Sequence, residues 1–114
     1  YIHVWDLARA HVMALTNFDQ AFERTGEPNT NYLVINLGSG KGVTVRELVT
    51  AFENVFGRPI AKRDMPARPG DVAGAYANAD TAHRLPGWQP EKSVEECISD
   101  ALRWGEKRKE VIGY

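Results

Sequence analysis

The sequence predicts a mixed α/β (α+β) small domain, and three observations predict it. Short apolar runs alternate with amphipathic stretches of helical period. A glycine-rich joint, "NLGSGKG" (Asn36–Gly42), leads from one such run into one such stretch. The resulting order, β-α-β-α-β-loop-α, is that of sheet and helix layers sharing a core. With 114 residues the chain fits one domain, 1–114, inside the usual range of roughly 100–200 residues.

"YIHV" (Tyr1–Val4) reads as a first strand, and Asp6 is placed to cap the helix that follows. Leu7, His11, Leu15, Phe18 and Phe22 recur at spacings of three and four, which predicts one helix with these residues inward. "GEPNTN" (Gly26–Asn31) carries the composition of a turn. "YLVINL" (Tyr32–Leu37) is nearly continuous in apolar residues, the pattern of a strand covered on both faces. The second helix starts at Thr44, turns Val45, Leu48, Val49, Phe52 and Phe56 inward, and ends at Gly57 and Pro59. "PIAKRDMP" (Pro59–Pro66) is a weaker third strand. Ala67–Ala79 lacks any period and reads as a loop; a helical turn at Asp80–Leu85 leads to "PGW" (Pro86–Trp88). A last helix from Ser93 is expected to bury Val94, Ile98, Ala101 and Trp104.

The net charge of −1, with Lys and Arg scattered, gives no footprint for nucleic acid. No apolar run reaches the roughly 20 residues of a membrane span, and no signal-peptide pattern is present. One cysteine, Cys97, excludes an internal disulfide and suits a cytoplasmic protein. The chain opens directly in an apolar segment with no initiator Met, which predicts a piece of a longer protein.

The glycine joint invites a phosphate-binding reading, and its residues argue against one. In a Walker A loop with Lys41 after Gly40, Ile35 stands where the first glycine should be, and Val43, not Ser or Thr, interrupts the metal-binding end. The dinucleotide pattern G-x-G-x-x-G fits Gly38 and Gly40, with Asp64 as a distant ribose acid, but Val43 stands at the third glycine. "TVRE" (Thr44–Glu47) is moreover a capping box, whose side chains occupy backbone groups that a phosphate would use. The joint therefore reads as a tight strand-to-helix turn.

Catalytic groups are not evident. His3, His11 and His83 form no metal spacing with one another or with Cys97, and no Ser-His-Asp or Cys-His set stands out. His11 reads as a satisfied, partly buried histidine, and His3 as a packing or hydrogen-bonding one. The Tyr-x-x-x-Lys dyad is absent: Trp5, Asn36 and Asp80 follow Tyr1, Tyr32 and Tyr76 at that distance. "ARPGDVAGAY" (Ala67–Tyr76) has more character. Arg68 and Asp71 flank Pro69-Gly70, a tight-turn pair, so a guanidinium and a carboxylate fall on one side of a rigid loop. Such a pair can grip phosphate oxygens and ribose hydroxyls, or can simply brace the turn.

In order, "YIHVWDLARAH", "YLVINLGSGKGVTVRELV", "RPGDVAGAYAN" and "LPGWQP" resemble the C-terminal part of the UDP-glucose 4-epimerases, within the extended short-chain dehydrogenase/reductase family. The sequence departs from that pattern in a longer hydrophilic tract (Phe18–Asn31), an extra Pro86 and a longer basic tail. The resemblance implies a substrate-binding domain without its NAD-binding Rossmann domain, so that this chain alone carries neither the Tyr/Lys dyad nor NAD and is inactive. It implies that Arg68 meets the UDP diphosphate and Asp71 the ribose, with Pro69 and Gly70 shaping the loop. By the same resemblance, Val45 packs near the uracil and Ala75 lines the hexose pocket, where a small residue admits an N-acetyl group. The intact enzyme implied is an NAD-dependent, cytoplasmic, homodimeric isomerase that interconverts UDP-glucose and UDP-galactose, and with Ala75 also the N-acetylhexosamine pair. It would remove and return a hydride at C4. The alternatives are a UDP-glucuronate epimerase or decarboxylase, a nucleotide-sugar 4,6-dehydratase, or a non-catalytic nucleotide-sugar-binding module.

Overall fold

A computed structural model describes residues 1–26, 32–72, 74–85 and 87–113. Its regular elements are helices: α1 (Val4–Thr16), α2 (Phe18–Glu23), α3 (Val45–Phe56), α4 (Asp80–Arg84) and α5 (Val94–Ile112). Among the described residues there is no strand, so the mixed α/β expectation is corrected. The described chain gathers into two compact units. Unit 1 comprises Tyr1–Gly42 with Tyr76–Lys92, and unit 2 comprises Val43–Ala75 with Ser93–Tyr114.

Each of the three expected strands lacks a ladder for a visible reason. Val4 of "YIHV" already belongs to α1, because the His3 ring accepts from the Trp5 N–H at 2.9 Å and caps the helix there. The cap is thus His3 and not Asp6. Residues 32–37 keep a strand's alternation, with Leu33, Ile35 and Leu37 half-buried and Tyr32, Val34 and Asn36 exposed. One face is covered, not two, and no neighbouring strand takes up the backbone among the described residues. "PIAKRDMP" is tied to a helix instead: Glu53 of α3 accepts from the Ile60 N–H at 3.1 Å and from Lys62 Nζ at 2.8 Å.

Unit 1 is built around Trp88, which is 1% exposed and packs with Ala10 and Ala82, flanked by Ile2, Met13, Ile35, Leu37 and Ala79. The buried face of α1 is consequently Asp6 and Ala10, with Met13 half-buried, one step round from the predicted stripe. Leu7, His11, Leu15 and Phe18 are exposed, and only Phe22 of that set is half-buried. The helix also breaks at Asn17 (φ −116°, ψ 19°), separating α2 from α1.

Asp6 is fully buried and joins distant chain. Its carboxylate accepts from the Glu91 N–H at 3.1 Å and the Lys92 N–H at 3.0 Å, while its carbonyl accepts from Trp88 Nε1 at 2.9 Å. Arg9 pairs with both Asp6 and Glu91. Burial opposes ionisation of Asp6, but the N–H groups of Lys92 and Glu91 and the Arg9 guanidinium outweigh it and hold the carboxyl below its ordinary value.

In unit 2, α3 packs on α5. Both begin in capping boxes, Thr44 with Glu47 and Ser93 with Glu96, so both starts stand where the sequence puts them. The α3 face is shallow: Leu48, Val49 and Phe52 are half-buried, and Val45 and Phe56 exposed. In α5, Ile98 is buried and Val94 half-buried, but Ala101 is exposed and Trp104 is 49% exposed, against the expectation that both lie inward. The expected "GEPNTN" turn, beyond Gly26, and Pro86 lie outside the described residues.

Candidate functional site

The Arg68–Asp71 segment forms the tight turn its sequence calls for. The Asp71 N–H donates to the Arg68 carbonyl at 3.0 Å, and Gly70 takes φ +89°, a conformation that L side chains rarely adopt. Asp71 then closes back on the other end. Its Oδ2 accepts from the Arg68 N–H at 2.9 Å and from Nε at 3.4 Å, and its Oδ1 accepts from Nη2 at 3.3 Å. Of the two roles open to this pair, bracing the turn is therefore visible. It leaves the Arg68 side chain 86% exposed, with Nη1 outside the pairing. A guanidinium held at one edge and open at the other is set to take a second oxyanion without losing much side-chain freedom.

Val45 is the first residue of α3 and is exposed. It edges a groove of about 560 Å³ with Val49 of the same helix and Lys62, Arg63 and Asp64 of the following segment. The Pro69-Gly70 turn and Ala75 do not line this groove; Ala75 is exposed. The residues singled out in the sequence thus share unit 2 but not one cavity.

The glycine joint behaves as a turn into a capped helix. The Thr44 N–H and hydroxyl both donate to Glu47 Oε2 at 2.7 Å, and the Glu47 N–H returns to Thr44 Oγ1 at 3.2 Å. The Thr44 N–H, and then its hydroxyl, hold the Glu47 carboxyl below its ordinary value. A negative charge already occupies the place a phosphate would take. Gly38 has another task. A Cβ built there would lie 2.9 Å from that of Ala77, so glycine lets residues 38 and 77 approach.

The histidines divide. His3 is buried and caps α1, in line with a hydrogen-bonding role. His11 is exposed, contrary to the partly buried reading, with its Nδ1 in contact with the Leu7 carbonyl at 2.8 Å. His83 lines a cavity of about 700 Å³ in unit 1, together with Gly38, Gly40, Tyr76, Asp80 and Gln89. Sequence reasoning passed over this cavity, because its residues come from three short stretches with no motif in common. No group of His, Cys, Asp and Glu among the described residues could hold a metal ion. No helix of the described residues is long and apolar enough to cross a membrane.

No family model matches the chain. The chain is 40% identical over all 114 residues to a UDP-glucose 4-epimerase of Bacillus subtilis, spanning 31% of that protein. It is 36% identical over 107 residues, 94% of the chain, to the UDP-glucose 4-epimerase of Bifidobacterium longum, spanning 29% of it. A crystal structure of the Bifidobacterium longum enzyme in complex with NAD+ and UDP superposes with a TM-score of 0.78 at 34% identity. That match covers 100% of this chain and 31% of that one, in its C-terminal part. The chain thus spans less than a third of the length of the relatives it matches.

Proposed function

We infer that this chain, a homologue of the UDP-glucose 4-epimerases over its full length, is the nucleotide-sugar-gripping part of such an enzyme. The observation that carries the reading is the whole-chain match at 40% identity, joined to a turn that pre-positions Arg68. In this reading Arg68 takes the diphosphate on its open edge, and Asp71 accepts from the ribose while anchoring Arg68. Pro69 and Gly70 fix the turn, and Val45 lies against the base. Ala75 leaves the hexose room for an N-acetyl group.

The intact enzyme uses NAD to withdraw a hydride from C4 of the hexose and return it to the opposite face, and works as a cytoplasmic homodimer. The present chain supplies affinity for the nucleotide, which holds the substrate while the hexose turns. Taken alone it is inactive and does not hold NAD. The relatives at 36–40% identity are named as epimerases, which disfavours the dehydratase and decarboxylase readings.

The test is Arg68→Ala in the complete enzyme that contains this segment. Loss of a charge-assisted contact should raise KM for UDP-galactose by about 10- to 100-fold, with kcat much less affected. An unchanged KM removes Arg68 from the substrate site.

A further inference from the structure

We propose that the cavity of unit 1 bounded by Gly38–Gly40 and Asn78–His83 is a binding site for an uncharged, hydroxyl-rich ring, a neutral hexopyranose. This goes beyond the function inferred above and does not depend on Arg68.

Its volume, about 700 Å³, lies within the roughly 300–1,000 Å³ typical of small-molecule sites. Its lining offers polar groups that the fold itself does not use. The side chains of Asp80, His83 and Gln89 all border the cavity and make no hydrogen bond among the described residues. A carboxylate only accepts, an amide both donates and accepts, and an imidazole can do either. That set suits a ligand whose every hydroxyl is both donor and acceptor. Tyr76, largely exposed, adds aromatic surface to the same lining, to which the C–H face of a pyranose can be applied, while buried Trp88 backs the wall.

Charge narrows the class. No Lys or Arg lines the cavity among the described residues, whereas Asp80 does. A phosphate or carboxylate ligand would meet a like charge with no cation to offset it. A purely apolar ligand would strip water from Asp80 and Gln89 and return nothing. A neutral polyol incurs neither penalty.

The walls are held in place before any ligand arrives. Trp88 is fixed by its Nε1–H to the Asp6 carbonyl at 2.9 Å and its backbone N–H to the Ala82 carbonyl at 2.9 Å. Asn78 Oδ1 accepts from the Asp80 N–H at 2.8 Å, which sets the start of α4. Ser39 is engaged on both sides with the backbone of Lys41, and Gly38 lies close against Ala77. Side chains carried on such a frame lose little freedom on binding.

The test is an amide chemical-shift titration of the ¹⁵N-labelled chain with methyl β-D-glucopyranoside and methyl β-D-galactopyranoside, with UDP in a parallel arm. Saturable shifts are expected at Gly38–Gly40, Tyr76 and Asn78–His83, with a dissociation constant on the order of millimolar. Asp80→Asn and Tyr76→Ala should each weaken binding by about fivefold or more, whereas Arg68→Ala should leave it unaltered. Both substituted positions are exposed, and the dispersion of the remaining amide signals reports that the fold is kept. Absence of saturable shifts at these residues overturns the proposal. So does a response of the same residues to UDP alone, or undiminished binding by Asp80→Asn in a folded chain.

Discussion

The two units are held together by different means. In unit 1 the buried side chains are His3, Asp6, Ala10, Ala21, Ala82, Leu85 and Trp88; in unit 2, among the described residues, Ile98 stands alone. Unit 1 ties its first helix to chain some 85 residues away through one buried carboxylate and one indole. Unit 2 packs α3 on α5, and its helix starts are fixed by devices contained within four consecutive residues, the capping boxes at Thr44 and Ser93. Loss of the buried hydrogen bonds of unit 1 should therefore spread through the unit, whereas loss of a cap in unit 2 should stay near the altered helix end.

The largest effect is expected at Asp6. Asp6→Ala leaves the Glu91 and Lys92 N–H groups without their acceptor and Arg9 with Glu91 as its remaining partner among the described residues, and should lower stability by about 2–5 kcal/mol. Urea unfolding followed by far-ultraviolet circular dichroism measures it. Acid should remove the same contribution. The Asp6 carboxyl titrates below its ordinary value of 3.8 when folded, so its stabilisation is complete above pH 3.8 and is lost as pH falls through the lower folded value. The stability difference between the wild type and Asp6→Asn should accordingly shrink in that acidic window. A difference that stays constant down to pH 2 would mean the carboxylate charge is not what holds Glu91 and Lys92.

The next effect distinguishes a glycine needed for close approach from one that is not. Gly38→Ala puts a methyl 2.9 Å from the Ala77 Cβ and 3.5 Å from its carbonyl oxygen, so one of the two segments must move. A loss of about 1–3 kcal/mol follows from such overpacking. Gly74→Ala meets nothing within 4 Å and has no positive φ, so it should stay within about 0.5 kcal/mol of the wild type. Equal effects at the two positions would remove the steric account of Gly38.

The same division explains what could be read from the sequence. Helix starts in unit 2 were legible because Thr44–Glu47 and Ser93–Glu96 encode them locally. The RPGD turn was legible for the same reason, since Pro69-Gly70 sets the backbone and Asp71 lies within reach of Arg68. Unit 1 was not legible in this way. The period of α1 points to Leu7, His11 and Leu15, but the face that packs is chosen by Asp6, whose partners are Glu91 and Lys92. Apolar runs such as "YLVINL" record a preference for extended backbone, and pairing into a sheet also needs a neighbouring strand. A period cannot report either kind of distant partner. The site followed the same rule: the turn could be anticipated, whereas the cavity assembled from Gly38, Tyr76, Asp80, His83 and Gln89 could not.

The smallest effect tests whether unit 2 responds only locally. Ser93→Ala removes the acceptor for the Glu96 N–H at 3.1 Å and leaves the Glu96 carboxylate to hold the Ser93 N–H alone. Loss of such a cap costs about 1 kcal/mol. Because Ile98 is the first buried residue of α5, the turn from Val94 to Cys97 can fray without uncovering a buried side chain. Hydrogen exchange should then speed up roughly fivefold for amides in that first turn, as about 1 kcal/mol requires when opening is local. Amides around Trp88 should keep their wild-type rates. If they accelerate to the same degree, the helix start is coupled to the Asp6–Trp88 centre, and the contrast between long-range buried hydrogen bonds and local caps fails.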